Sequence, residues 1–174
     1  TNVTVGGALT IASMTVAQDA FGNDINVTAA GDITIGTTGA AGTVSAGLDD
    51  GTVTLTATSG AIKQGHSASS IKGGTVTLSS TSYGSSTASL GINSRNLTAI
   101  TAGSGVGAYF QSTGSELGVA NVTTNGGVIA INGDNVTLNL RNLVSGGGNI
   151  TVETGGTSNL RVGDINAAGL SGTG

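Results

Sequence analysis

Cysteine, proline and tryptophan are absent from the 174 residues, aromatic side chains make up 2% and charged ones 8%, against roughly a quarter charged in ordinary globular chains. Without cysteine there is neither a disulfide framework nor a zinc–thiolate site, which fits a secreted bacterial protein that does without bridges. No run approaches the roughly 18 apolar residues of a membrane span. No basic-then-apolar signal opens the chain, so an export signal, if the parent protein is exported, is expected upstream. The only basic residues are Lys63, Lys72, Arg95, Arg141 and Arg161, scattered along a chain of net charge −4. Nucleic acid and anionic membrane are therefore poor partners.

What is present in quantity is glycine, 32 residues, with Thr, Ser, Asn and small aliphatics. The mean hydropathy is positive, so the chain is too apolar and too patterned for a disordered Gly/Ser linker. GTVTL occurs twice, 23 positions apart, with Val53, Thr54 and Leu55 returning as Val76, Thr77 and Leu78. Each copy alternates apolar with polar, as a strand with one buried face does. The same spacing of an aliphatic at i and i+2 recurs as Leu9/Ile11, Ile33/Ile35, Val53/Leu55, Val76/Leu78, Leu97/Ala99, Leu117/Val119, Val136/Leu138 and Leu160/Val162, at intervals of 19 to 24 residues. Variable spacing with a persistent pair is the signature of a solenoid whose corners change length while one strand per coil stays in column.

The fold expected is therefore all-β: a right-handed parallel β-helix (solenoid) of about eight coils, 19 to 24 residues each. Residues 1–174 form a single β-solenoid segment, expected to be a piece of a longer repeat protein. Further strands around Ile25/Val27, Val44, Ile62, Ile71, Leu90/Ile92, Ile129/Ile131 and Ile150/Val152 predict two or three strands per coil, joined by Gly, Ser, Asn and Asp corners. Strands that follow one another round a coil cannot pair together, so each must bond its equivalent one coil away, in parallel and about 4.8 Å distant. Right-handed winding follows the general preference of parallel crossovers.

GDITIG, GTVTLTATSGAIKQG and GGVIAINGDNVTLNLRNL resemble the repeat shaft of filamentous-haemagglutinin-like exoproteins, the large adhesins of bacterial two-partner secretion. The resemblance implies a β-helix on, or released from, the bacterial cell surface, exported through an outer-membrane transporter and serving adhesion, aggregation or biofilm formation. Its partners would be glycans or proteins of a host or neighbouring cell. The likeness is one of repeat style over most of the chain and carries no active-site motif. With no proline, the chain lacks the Asn-Pro-Asn motif of the family's secretion domain. A self-assembling extracellular fibre, a homopolymer stacked head to tail through coil ends, is the runner-up.

Individual features each invite a site and each has a plainer account. Thr34, Thr54, Thr77 and Thr98 are expected to form an outward ladder, with Thr10 before and Thr137 after; it could order water as an ice-binding face, or simply reflect β-propensity. Sequons at Asn2, Asn26, Asn96, Asn121, Asn135 and Asn149 could accept glycans, yet all have the Asn-aliphatic-Thr form that a turn entering a strand produces. GSGVGA at 103–108 matches a dinucleotide loop but is followed by no helix pattern and no acidic residue, so a glycine corner is expected. Gly146-Gly147-Gly148-Asn149-Ile150 lacks the acid of a calcium solenoid, and Asp49-Asp50 reads as a solvated turn.

Catalytic material is thin. His66 is the only histidine, and the acids Asp19, Asp24, Asp32, Asp49, Asp50, Glu116, Asp134, Glu153 and Asp164 share no column in this register. A β-helix carbohydrate-active enzyme is thus a minor alternative, and no catalytic, metal or cofactor residue is assigned. Of Phe21, Tyr83, Tyr109 and Phe110, the adjacent Tyr109 and Phe110 cannot both point inward in a narrow coil, so one is expected at the surface or under the loop that starts near Gly103, where it could stack on a sugar or simply pack. Segments 80–87 and 103–114 depart most from the repeat and are the first places to look for a binding feature.

Overall fold

A computed structural model describes residues 1–16 and 23–167; Asp19 and Phe21 lie outside the described residues. The chain winds as an all-β solenoid of about seven turns with parallel strands stacked turn upon turn. The first three turns have three strands each. β1 (Asn2–Val5), β2 (Leu9–Ile11) and β3 (Ser13–Thr15) make the first, and β4 (Ile25–Ala29), β5 (Ile33–Ile35) and β6 (Thr43–Ser45) the second. β7 (Thr52–Ala57), β8 (Ile62–Gln64) and the start of β9 (Ser70–Ser80) make the third. Then β9, β10 (Leu90–Ser104) and β11 (Ala108–Asn125) run on from one face to the next. β12 (Ile129–Asp134), β13 (Thr137–Val144), β14 (Ile150–Gly155) and β15 (Asn159–Asn166) complete the winding.

One long sheet follows the axis from β1 through β4, β7, the second half of β9, β10, β11 and β13 to β15. Two apolar columns line its inner side. One runs Ile25, Val53, Val76, Leu97, Val119, Leu140, Val162; the other runs Val3, Val27, Leu55, Leu78, Ala99, Val122, Leu143, Ile165. From Ile25 to Leu143 the members of both columns are buried. Aliphatic side chains repeated at the same place on successive strands meet across each parallel pair, and their burial holds the turns together.

The register corrects the sequence reading in particular places. Leu9/Ile11 and Ile33/Ile35 do not belong to the column of Val53/Leu55; they stack on Ile62 and Gln64 of a second sheet. Their true equivalents in the long sheet are Val3 on the first turn and Ile25/Val27 on the second. Leu117 pairs with Ser94 rather than Leu97, while Leu138 lies between Leu117 and Leu160. Val136 is buried but precedes its strand. Steps along the long sheet therefore run from 21 residues (Val76 to Leu97) to 28 (Ile25 to Val53), not 19 to 24. The physical reason is that each turn carries an apolar pair on more than one face. Ladder hydrogen bonds, invisible to spacing, decide which pairs stack.

The cross-section changes in the middle of the rod, and two aromatic rings occupy the change. Tyr83 bridges Ile62 and Ala108, whereas Phe110 stacks between Leu90 and Ile131. Both are fully buried, with ring centroids 5.6 Å apart. The Tyr83 hydroxyl lies 2.8 Å from the Leu78 carbonyl and 2.5 Å from that of Ile100, and accepts from the Ile100 N–H at 3.1 Å. It thereby ties two successive strands of the long sheet.

Burial pushes the Tyr83 phenol up to about 12, against the lowering effect of its hydrogen bonds. A raised folded-state value means the contribution of Tyr83 is complete below its ordinary value of 10.0 and is lost as pH rises from there through about 12. Tyr83→Phe is expected to cost about 1–3 kcal/mol at neutral pH by orphaning buried backbone groups, and to remove this alkaline component. Urea unfolding followed by circular dichroism over an alkaline pH series measures both.

Where the long sheet meets its corner, apolar side chains give way to hydroxyls. Ala29 pairs with Ala57 and Ser80 with Thr101, and Thr124 and Ser145 directly follow the paired Thr123 and Val144; all six are buried. Ser80 donates to the Ser82 carbonyl at 2.7 Å, Thr124 engages the Gly127 carbonyl at 2.7 Å, and Ser145 engages that of Gly148. These bonds satisfy carbonyls where the chain turns, and Gly105, Gly126 and Gly146, all at positive φ, make that corner on successive turns. Thr101 Oγ1 is buried without a partner among the described residues. Thr101→Val keeps the shape and removes the unpaired hydroxyl, so thermal melts are expected to show unchanged or higher stability, by up to about 1 kcal/mol.

A candidate binding groove on the long sheet

The outer side of the long sheet changes character along its length. In the first half it is flat and short-chained: Asn2, Asn26, Thr54, Thr77, Thr98 and Asn121 form one outward column, with Thr4, Thr28, Thr56 and Ser79 beside it. The Thr54–Thr77–Thr98 core of the expected ladder is present. Thr34 is not in it; it stacks between Thr10 and Lys63 on the second sheet. Thr137 likewise sits in another column, between Glu116 and Asn159. Asn26 donates to Asn2 at 3.0 Å and Asn142 to Asn121 at 2.8 Å, so three of the sequon amides serve the ladder. Asn135, at φ 53°, caps a turn through Thr157, while Asn96 and Asn149 are exposed.

In the second half the sheet is bulged. Ser94 pairs with Leu117 and Leu97 with Val119, so Arg95 and Asn96 face the single residue Gly118. Ala120 then has no partner between Val119 and Asn121. The extra residue persists down the stack, since Val119 and Val122, then Leu140 and Leu143, are all buried with two outward residues between. Bulges of this kind bend a strand and re-aim its side chains.

The bend opens a groove of about 520 Å³. All three arginines of the sequence line it: Arg95, Arg141 and Arg161. Glu116 is its one acidic side chain, and Asn139 donates to it at 2.9 Å. Asn96 stands at the rim, and Gly118 and Gly163 keep the floor low. A Cβ on Gly118 would lie 1.7 Å from the Arg95 carbonyl oxygen, so only glycine permits this bulge. Arg95 Nη2 is 3.5 Å from Asp49, both exposed, while Arg141 and Arg161 make no ion pair among the described residues. Chemically, the groove offers guanidinium donors for an anion beside amide and carboxylate groups for hydroxyls.

The other marked features take their places away from this groove. Phe110 is buried and Tyr109 half-buried, as the narrow-coil argument requires. Segments 80–87 and 103–114 do come together: Ser86 and Tyr109 share a smaller hollow of about 280 Å³ with Asn132 and Glu153. GSGVGA ends β10 and turns at Gly105 into β11, a corner with no helix after it. Gly146 and Gly147 are likewise a corner. His66 accepts from the Ala68 N–H at 3.1 Å within its own turn. Lys63 bonds the Asp32 carboxylate and the Ala61 N–H joins at 2.8 Å, and together they hold Asp32 below its ordinary range. Among the described residues, no cluster of three or more His, Cys, Asp or Glu could hold a metal ion, and no helix is long and apolar enough to cross a membrane.

Sequence reading missed the arginine groove, since positions 95, 141 and 161 looked scattered. The signal that could have found it was the register of the repeat, had the bulges been known. No protein-family model, curated protein or solved structure matches the chain.

Proposed function

We propose that this chain is a segment of the structural and adhesive shaft of a bacterial exoprotein, displayed on the cell surface or secreted, and acting in adhesion, aggregation or biofilm formation. The observation that carries the reading is the pair of unbroken apolar columns along one sheet, which turns sequence length directly into rod length. The exterior is left to short polar side chains that need not conserve a core and so can differ from coil to coil. The resemblance of GTVTLTATSGAIKQG to filamentous-haemagglutinin-like repeats supports export through an outer-membrane transporter and partners that are glycans or proteins of other cells. The proposal includes no catalytic step and no cofactor.

Electron microscopy of the purified chain over a concentration series tests it. Monodisperse rods with a coil rise of about 4.8 Å are the expected result, and compact particles without a long axis would overturn it. A second reading, head-to-tail stacking into a fibre, draws on Leu160, Val162 and Ile165, which lie exposed on β15. Fibres that lengthen with concentration would favour it.

A further inference from the structure

We infer that the bulged groove binds a carboxylate-bearing sugar of an acidic polysaccharide, with Arg141 and Arg161 holding the carboxylate and the Asn139–Glu116 pair holding ring hydroxyls. This deepens the adhesive reading and rests on it for its biological setting. The charge distribution is the first support. A chain of net charge −4 with only five basic residues places all three arginines on one concave surface, where the sole acid is already bonded by an amide. An overall negative molecule repels polyanions in general, so a local cationic groove selects those that fit it.

Geometry narrows the ligand class. Arg141 and Arg161 are exposed, lie on neighbouring strands β13 and β15, and have no acidic partner among the described residues. Arg161 pairs in register with Asn139, and Arg141 lies two residues further along β13, so the two are diagonal neighbours on adjacent strands. Long forked guanidinium side chains reach across such a diagonal and can converge on one planar carboxylate. Arg95 stands on β10, further along the stacking direction, where a second acidic unit of the same polymer would lie.

The groove floor is the face of a sheet whose backbone groups are spent in the β10–β11, β11–β13 and β13–β15 ladders. A peptide adding itself as a strand finds no free edge between these strands; of the four, only β15 has an unpaired outer edge among the described residues, and the oligoglutamate comparison below tests that alternative. No aromatic side chain lines the groove to stack a nucleic-acid base. Asn139 and Glu116 supply an amide and a carboxylate side by side, the mixture of donor and acceptor that sugar hydroxyls use.

Calorimetric titration of the whole chain with oligogalacturonate tests the assignment, with the neutral galactose oligomer and oligoglutamate as comparison ligands. Binding of the uronate alone, weakening with salt, is expected. Arg141→Gln and Arg161→Gln should each weaken it by about tenfold or more, the loss of one charge-assisted bond. Both side chains are exposed, and an unchanged circular dichroism spectrum certifies the fold of each variant. Lys72→Gln, away from the groove, should bind as the parent does. No uronate binding, equal binding of oligoglutamate, or full retention in the double arginine variant would each overturn the assignment. Solution scattering on the same samples reports the rod, so an intact rod that ignores uronate sinks the groove proposal alone, and a compact particle sinks the shaft.

Discussion

Val76→Asp is expected to abolish the folded state at neutral pH. Val76 is fully buried between Val53 and Leu97 in the column that joins the third, fourth and fifth turns. No basic side chain belongs to that column, so the carboxylate would be left unpaired in an apolar site. Substitutions that bury an unpaired charge belong to the class costing more than about 4 kcal/mol, a large part of the roughly 5–15 kcal/mol that holds an ordinary domain folded. Because a solenoid is stabilised turn by turn, the break would also uncouple the two halves of the rod. The buried carboxyl would ionise only at raised pH, so some structure should return on acidification. Thr77→Asp, one residue on and facing outward, is the control and should cost about 1 kcal/mol or less. Thermal unfolding followed by circular dichroism at neutral and acid pH separates the two; a cooperative Val76→Asp melt close to the parent's would refute the column.

Gly118→Ala should be the most damaging single-methyl addition on the outer face of the long sheet. The new Cβ would meet the Arg95 carbonyl carbon and oxygen, backbone atoms of an adjacent paired strand that cannot swing aside. Overpacking of this kind costs about 1–3 kcal/mol. Here it also pushes out the bulge that presents Arg95 and Asn96, so uronate affinity should fall together with stability. Gly39→Ala makes the contrast. Nothing lies within 4 Å of a Cβ there and its φ is not positive, so stability should be unchanged or raised by about 0.4–1 kcal/mol through the unfolded chain. Denaturant midpoints for the two variants decide the matter, and a neutral Gly118→Ala would mean that the β10–β11 bulge does not have this shape.

The difference between these two glycines marks where reading the chain residue by residue stops working. Both look alike as letters among Ser, Thr and Asn. Gly118 is demanded by a strand some twenty residues earlier, whereas Gly39 belongs to a turn in open space. The repeated GTVTL was legible because two in-register copies leave one pairing, and Val53 on Val76, Thr54 on Thr77 and Leu55 on Leu78 all stand as read. Ile33/Ile35 belongs to the second sheet although its spacing matches the first, because an apolar i, i+2 pair looks the same on every face of a solenoid. Thr34 left the ladder for the same reason.

Sequence alone determined the architecture of this protein: period-two alternation with glycine corners and too few charges for ordinary globular packing leaves the chain little choice but to stack strands turn on turn. It also determined that one of Tyr109 and Phe110 must lie outside the core, since neighbouring residues on a strand point to opposite sides. Only the tertiary structure decided which apolar pair belongs to which sheet, that Tyr83 ties two turns from within, and that Arg95, Arg141 and Arg161 share a groove. Alternation is a property of each strand by itself. Register is a property of pairs of strands, and a single extra residue such as Ala120 shifts every outward side chain that follows.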